Sequence, residues 1–423
     1  METNGEGIGT GARLAPETLA VHTWTGRGRA HRTLNAPLYQ TSQWEAASLQ
    51  ELAGLFARDP DRGFYMRFGH PTIRLAEEKL ALLEGAGDAL LFSSGMGAIS
   101  TSLLAVLRSG DHVVAHRSIF GQTILLLEHL ARAFGVRVDF VDATDLAQVE
   151  AAVTPATRLL YLETPSNPVI DVLDIQALGA IAHRNGALVF VDSTFAGPLI
   201  QRPLELGADL AIQSASKSLA GHADLLAGSA AGGKELVAQI RDMRVLGGPS
   251  LDPHACWLLL RGMQTLPLRV RAQSETAFAL ARMLEASPEV ETIRYPFLDS
   301  HPACEVARRQ MRLGGGMLSF SLRGGIESTR RFVAALEWIP IASSLGSVYT
   351  TVEVPEELDF SVDELGDRVA SIAMPAGLIR LSVGVEAAAD IEREIRRGLE
   401  AVIAGRGAAS ERVPRRHRAH VGP

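Results

Sequence analysis

The run Ala187-Leu188-Val189-Phe190-Val191-Asp192 decides the fold together with a second run, Asp209-Leu210-Ala211-Ile212-Gln213-Ser214-Ala215-Ser216-Lys217. Each begins as a short apolar stretch without polar alternation, the pattern of a strand buried on both faces, and ends in residues able to do chemistry. Strands of that kind belong to parallel sheets covered by helices. The crevice outside their carboxyl ends is where open α/β sheets bind ligands.

Working outward, similar runs occur at Asp88–Phe92, His112–Ala115, Arg137–Val141 and Arg158–Leu162, each separated from the next by a helix-like stretch. The alternation predicts a mainly parallel sheet with helices on its faces. The Arg158–Leu162 run also ends in polar residues, Glu163-Thr164-Pro165-Ser166-Asn167-Pro168. After about Leu258 the pattern changes to a long helical stretch from Gly262 to Ala286. Strand candidates follow at Gly316–Leu322 and Leu378–Val383, then a helix from Ala387 to Ala404, which reads as a smaller α+β domain. The expected division is an N-terminal arm over 1–70, a cofactor domain over 71–258, a C-terminal domain over 259–404 and a basic tail over 405–423. Residues 1–12 and the Arg-Arg-His-Arg segment read as solvated ends.

Composition excludes several classes. The 423 residues carry 41 Lys+Arg against 48 Asp+Glu, intermixed, so no basic face is available to neutralise nucleic-acid phosphates. No run of about 18 apolar residues suggests a membrane span, and no signal-like segment opens the chain. Cys256 and Cys304 lack metal-ligand spacing and make no disulfide framework, which fits a reducing cytoplasm and no bound metal.

Three segments carry the chemistry. Ser214-Ala215-Ser216-Lys217-Ser218 places a lysine at a strand's carboxyl edge, where it could form a Schiff base while neighbouring hydroxyls donate to a phosphate. By itself a surface loop explains it better, and it gains weight only from its companions. Phe92-Ser93-Ser94-Gly95-Met96-Gly97-Ala98 leaves a strand and opens a helix whose first amides lack intrahelical partners, a place for a phosphate or a merely structural turn. Asp192 could bind a protonated pyridine nitrogen, keeping the ring cationic, or could simply cap a helix. Phosphate turn, aspartate and lysine in this order on one sheet are what a pyridoxal 5′-phosphate (PLP) site requires.

At this point the chain resembles a known family. The matching stretches are Tyr65-Met66-Arg67 with Pro71-Thr72, Ser94-Gly95-Met96, Glu163-Thr164-Pro165-Ser166-Asn167-Pro168, Asp192-Ser193-Thr194-Phe195, Ser214-Ala215-Ser216-Lys217 with Gly221-His222, Ser344-Leu345-Gly346 and Ile379-Arg380-Leu381-Ser382-Val383-Gly384. They resemble the Cys/Met-metabolism PLP enzymes, which include cystathionine γ-synthase, the cystathionine and methionine γ-lyases and the O-acylhomoserine sulfhydrylases. The resemblance implies the fold type I PLP-transferase architecture, a mainly parallel seven-stranded sheet with helices on both faces and a smaller C-terminal α+β domain. It also implies PLP on Lys217, with phosphate contacts from Gly95, Met96, Ser214 and Ser216, and Asp192 with Thr194 beside it at the pyridine nitrogen. Tyr65 and Arg67 are expected to reach the phosphate of a neighbouring subunit, so the active unit is expected to be a homodimer, paired further into a tetramer. Asn167, Ser344 and Arg380 are expected around the substrate, Arg380 as a fork for the α-carboxylate.

The chain departs from the family in three places. Ser118-Ile119-Phe120-Gly121-Gln122-Thr123 has phenylalanine where the lyases and the synthase usually stack a tyrosine on the cofactor; Phe120 can stack but cannot move a proton, and in this it resembles the O-succinylhomoserine sulfhydrylases. His70 replaces the usual asparagine before Pro71-Thr72, either packing at a subunit boundary or supplying a proton. After Ser344-Leu345-Gly346 the chain reads Ser347-Val348-Tyr349 and Glu353-Val354-Pro355-Glu356-Glu357, without the family's Thr-His. The expected activity is γ-replacement on an O-acylhomoserine by a sulfur nucleophile. The alternatives are a γ-lyase, a specialised-metabolism γ-substitution enzyme, or, from a different class, an inactive homologue serving in binding or assembly.

Overall fold

The computed structural model describes residues 14–22, 33–55, 65–357 and 374–410. Two sheets organise them. The larger has seven strands, β1 (Asp88–Phe92), β2 (His112–His116), β3 (Arg137–Val141), β4 (Thr157–Glu163), β5 (Leu188–Asp192), β6 (Leu210–Gln213) and β7 (Gly228–Gly232), in the order β1-β7-β6-β5-β4-β2-β3. Every pairing from β6 to β3 is parallel, and β7 runs antiparallel to both neighbours. The smaller sheet is antiparallel, with β8 (Val290–Arg294), β9 (Met317–Leu322), β10 (Thr351–Glu353) and β11 (Ile379–Ser382) in the order β10-β11-β9-β8.

The larger sheet is buried on both faces, which explains the unbroken apolar runs. Leu159 and Tyr161 of β4 pack with Ile99 and Leu103 of the helix Gly95–Val106 on one face. Their neighbours Leu160 and Leu162 pack with Ile175 and Leu178 of the helix Ile175–Arg184 on the other. A third core lies under the smaller sheet, where Leu318, Phe320 and Leu322 of β9 meet Ile391 and Ile395 of the helix Ala388–Ser410. The opposite face of β9, with Ser319 and Ser321, is polar yet buried.

Several expectations differ from the structure. The helical stretch expected from Gly262 to Ala286 is two helices, Pro253–Gln264 and Leu266–Glu285, because Pro267 supplies no backbone donor to continue the first and suits the opening turn of the second. The last helix runs to Ser410, not Ala404. Strands β7, β8 and β10 were not foreseen. β7 reads Gly-Ser-Ala-Ala-Gly, and its small residues are a packing requirement: a Cβ on Gly228 would stand 2.0 Å from the Ser94 carbonyl oxygen. The expected boundary at 258 falls inside the helix Pro253–Gln264. The expected solvated ends, 1–12 and the Arg-Arg-His-Arg stretch, lie outside the described residues.

One buried acid sits beneath the lysine strand. Glu84 ends the helix Pro71–Glu84 and accepts a hydrogen bond from Gln213 Nε2, the last residue of β6. Burial pushes its carboxyl up to about 8, against the pull of Arg202 and Gln213. A carboxyl with a raised folded pKa stabilises fully below its unfolded pKa, and that contribution is lost as pH climbs through the folded value. Glu84→Gln is therefore expected to flatten the fall in melting temperature between pH 5 and 9. A relief of about 5 kcal/mol at the alkaline end corresponds to about 5 °C in a chain of this size. Parallel fall of the two melting curves would contradict it.

Candidate active site

The strand ends β4, β5 and β6 place three sequence-predicted segments side by side. Glu163 and Asp192 are register neighbours on parallel strands, and Asp192 in turn pairs with Ile212 of β6. Thr194 links the aspartate to the lysine segment: its amide and hydroxyl both donate to Asp192 Oδ1, at 3.0 and 2.6 Å, while its hydroxyl accepts from the Ser214 amide at 2.9 Å. Ser214 in turn touches the phosphate turn, where a Cβ on Gly95 would meet the Ser214 side chain at 3.0 Å. Glycine at 95 is thus required by close approach. Ser94 caps the helix by accepting from the Gly97 amide at 2.9 Å, and the Gly95 and Met96 amides enter no hydrogen bond among the described residues.

A second set comes from the smaller sheet. Lys217 Nζ donates to Ser344 Oγ at 3.2 Å. Arg380 Nη1 donates to Asn167 Oδ1 at 2.7 Å, and Nη2 donates to the Ser343 carbonyl at 3.2 Å and to Glu353, its cross-strand partner on β10. The same guanidinium lies 5.9 Å from the centre of the Phe195 ring. Glu163 ties the sets together, accepting from the Phe120 amide at 2.7 Å and the Asn167 amide at 2.9 Å.

The electrostatics follow from burial. Asp192 is pushed up to about 6 by desolvation, opposed by the two Thr194 bonds. Glu163 is raised well above the carboxylate range by burial and then by Asp192, with the amides of Phe120 and Asn167 and the charge of Arg380 opposing. Burial pushes Lys217 below the ordinary lysine range, Arg380 pushes the same way and Glu353 opposes. A lysine amine that sheds its proton more easily is a better nucleophile and base.

Lys217, Asp192, Thr194, Ser214, Gly95, Met96, Phe120, Asn167, Ser344 and Arg380 thus form one linked constellation. Four residues singled out in the sequence stand differently. The Ser216 hydroxyl is engaged with Ala227, donating to its carbonyl at 3.0 Å and accepting from its amide at 2.8 Å. Arg67 donates to the Val245 carbonyl at 2.6 Å, with its guanidinium over the Tyr65 and Phe68 rings, so both Tyr65 and Arg67 lie apart from this chain's own lysine in the contacts they make. His70 caps the helix Pro71–Glu84 through Nδ1 and packs edge-on against Trp44. Sequence reasoning did not assign a role to Glu163 or Glu353. The only signal for Glu163 was a charged residue closing an apolar strand, and Glu353 gave none.

The donor set suits a phosphorylated pyridine aldehyde. Both bonds from Thr194 fall on Asp192 Oδ1, leaving Oδ2 without a hydrogen bond among the described residues, and the helix amides at 95 and 96 supply the anion end. Lysine amine, buried carboxylate and amide cradle converging on the carboxyl edge of a parallel sheet define a PLP-dependent enzyme of the α/β transferase type.

The chain belongs to the Cys/Met metabolism PLP-dependent enzyme family, whose description matches residues 17–400. It is 40% identical to the L-methionine gamma-lyase of Pseudomonas deceptionensis over 388 residues, 91% of this chain and 97% of that one. It is 39% identical to the O-succinylhomoserine sulfhydrylase of Pseudomonas aeruginosa over 365 residues, 86% of this chain and 90% of that one. The cystathionine gamma synthase of Xanthomonas oryzae pv. oryzae, solved in complex with cystathionine, superposes with a TM-score of 0.87 at 32% identity, covering 92% of this chain and 99% of that one. The chain is therefore a PLP enzyme of cysteine and methionine metabolism, in a family that carries out γ-replacement and γ-elimination. Among the described residues no helix is long and apolar enough to cross a membrane.

Proposed function

We propose that this enzyme catalyses γ-replacement on an O-acylhomoserine, with a sulfur nucleophile displacing the acyl group. The observation that carries this reading is Phe120. Its amide is held by Glu163 at the start of the helix Gly121–Phe134, beside the Asn167–Arg380 pair, and its ring offers no hydroxyl there. An acyloxy group departs as a stable carboxylate without a strong acid at that place, whereas a thiolate needs one more.

Bound PLP supplies the electron sink for the carbanion chemistry. Arg380 holds the α-carboxylate, its fork already fixed by Asn167 and Glu353. Lys217, with Ser344 on its amine, takes the proton from Cα and passes protons along the substrate. Asp192 keeps the pyridine nitrogen protonated, Thr194 orients Asp192, and Gly95, Met96 and Ser214 bind the phosphate. Ser216 would have to release Ala227 before it could join them.

Tyr65 and Arg67 serve the phosphate of a neighbouring subunit in this reading, and the working unit is a homodimer, paired into a tetramer. Two exposed apolar side chains support a covering copy: Leu246, beside the Val245 carbonyl that takes Arg67, is 79% exposed, and Leu226, on the loop between Lys217 and β7, is 64% exposed. A reducing cytoplasm suits the free thiols of Cys256 and Cys304.

The test is to incubate the enzyme with O-acetylhomoserine, O-succinylhomoserine, cystathionine or methionine, with and without sulfide, and read products by mass. Homocysteine appearing only when an O-acylhomoserine and sulfide are both present is expected. Ammonia and 2-oxobutanoate from methionine or cystathionine without sulfide would instead establish the elimination reading, which the methionine gamma-lyase relatives favour. In the same assay Phe120→Tyr is expected to raise elimination from the thioether substrates by about tenfold to a hundredfold while leaving replacement within about threefold. An unchanged ratio of the two reactions would remove Phe120 from the argument.

A further inference from the structure

A cleft of about 170 Å³ separates the two sheets on the β2–β3 side. From the larger sheet it is lined by Arg117 and Ser118 after β2, by Asp142 after β3 and by Val169 and Asp171 after β4. Facing them are Thr292 and Arg294 of β8 and Ser319 of β9. That is room for a small anion, below the range of drug-sized ligand sites.

Two arginines and two aspartates line it, but the pairing leaves one arginine out. Arg117 is paired with Asp142 at 2.6 Å, and Asp171 faces His116 across 3.8 Å. Arg294 is half-buried and makes no ion pair or hydrogen bond among the described residues. Its cross-strand partner Ser319 is fully buried, and its hydroxyl has no hydrogen-bond partner among the described residues. A buried hydroxyl without a partner carries a desolvation penalty, and a guanidinium half out of water loses hydration that nothing here replaces. Directly opposed residues on neighbouring strands have side chains about 5 Å apart on one face, so fork and hydroxyl converge on one point.

We propose that this cleft is a second small-molecule site, separate from the amino-acid site, which binds an oxyanion, a carboxylate or a phosphate group, between Arg294 and Ser319. Guanidinium geometry matches either group in bidentate fashion. The place matters because its walls are continuous with the active site. Ser319 pairs with Arg294 on one side and with Arg380 on the other, so the two arginines stand two strand spacings apart, about 10 Å. Ser118 is two residues before Phe120, and Val169 is two after Asn167. An anion held here presses on the segments that position the substrate.

Calorimetric titration of the PLP-loaded enzyme with succinate and with inorganic phosphate tests this, with the cofactor's visible spectrum recorded alongside to report anions at the active site. One anion per chain is expected to bind without changing that spectrum, and the stronger of the two names the carboxylate or the phosphate as the natural group. Arg294→Gln is expected to weaken that binding about tenfold or more, and Arg294→Lys less. Ser319→Ala removes only a hydroxyl and keeps the fold, so it is expected to weaken binding about threefold or more. No heat with either anion, heat only with a spectral change, or undiminished binding in Arg294→Gln and Ser319→Ala would overturn the proposal. The titration reads binding, so its outcome is independent of which reaction the enzyme catalyses.

Discussion

Lys217→Ala is expected to reduce turnover by on the order of 10⁴-fold and to remove the visible absorption that PLP acquires when joined to a lysine. Among the described residues the amine has one hydrogen-bond partner, Ser344 at 3.2 Å, and it lies in a pocket whose burial and neighbouring Arg380 both favour its neutral form. No second lysine lies in the constellation, so no other side chain there can take over both covalent attachment and proton transfer at Cα. Ser344→Ala separates attachment from proton handling: absorption should persist while turnover falls by about tenfold. Retention of the absorption in Lys217→Ala would show that the cofactor is held elsewhere. Its absence from the unaltered protein would favour the binding or assembly reading over the enzymatic one.

Asp192→Asn is expected to lower turnover by about 10²- to 10³-fold, since an amide cannot stabilise a protonated pyridine as a carboxylate does. The geometry is otherwise kept, because Asn can still accept from the Thr194 amide and hydroxyl through the same oxygen. The pH dependence gives a second readout. Burial raises Asp192 to about 6 before the cofactor binds, so the carboxylate is present above that pH and is lost as pH falls through it. Reconstitution of cofactor-free protein with PLP should therefore weaken as pH drops from about 7 to about 5 in the parent. In Asp192→Asn it should stay level across that window. Equal pH dependence in both proteins would assign the titration to another group.

Much of this was legible in the chain because strands buried on two faces leave no room for polar residues until they end. Asp192 and Lys217 stood out as polar breaks at the close of apolar runs, and a parallel sheet places all such breaks along one edge. The same logic failed for β7, whose Gly-Ser-Ala-Ala-Gly has no hydrophobic signature, because its side chains are limited by the Ser94 turn pressing on it. It failed for β10, three residues long, which is held between the edge of β11 and a bridge to Ile341. Arg380 was expected as a fork for the α-carboxylate; its hold on Glu353 follows from a cross-strand register that links positions 27 residues apart. Glu163 looked like one residue of a turn and is the acceptor that fixes both Phe120 and Asn167.

By itself the sequence determined the α/β architecture, the order of phosphate turn, aspartate and lysine, and the family. These rest on local periodicity and on residue types at strand ends, which each segment carries without reference to the rest of the chain. Tertiary structure alone decided which acids face which bases: Glu353 on Arg380, Glu163 beside Asp192, Ser216 turned to Ala227, Arg294 left beside an unpartnered Ser319. Those pairings depend on register between distant strands and on burial, and both arise only when the two sheets close on each other.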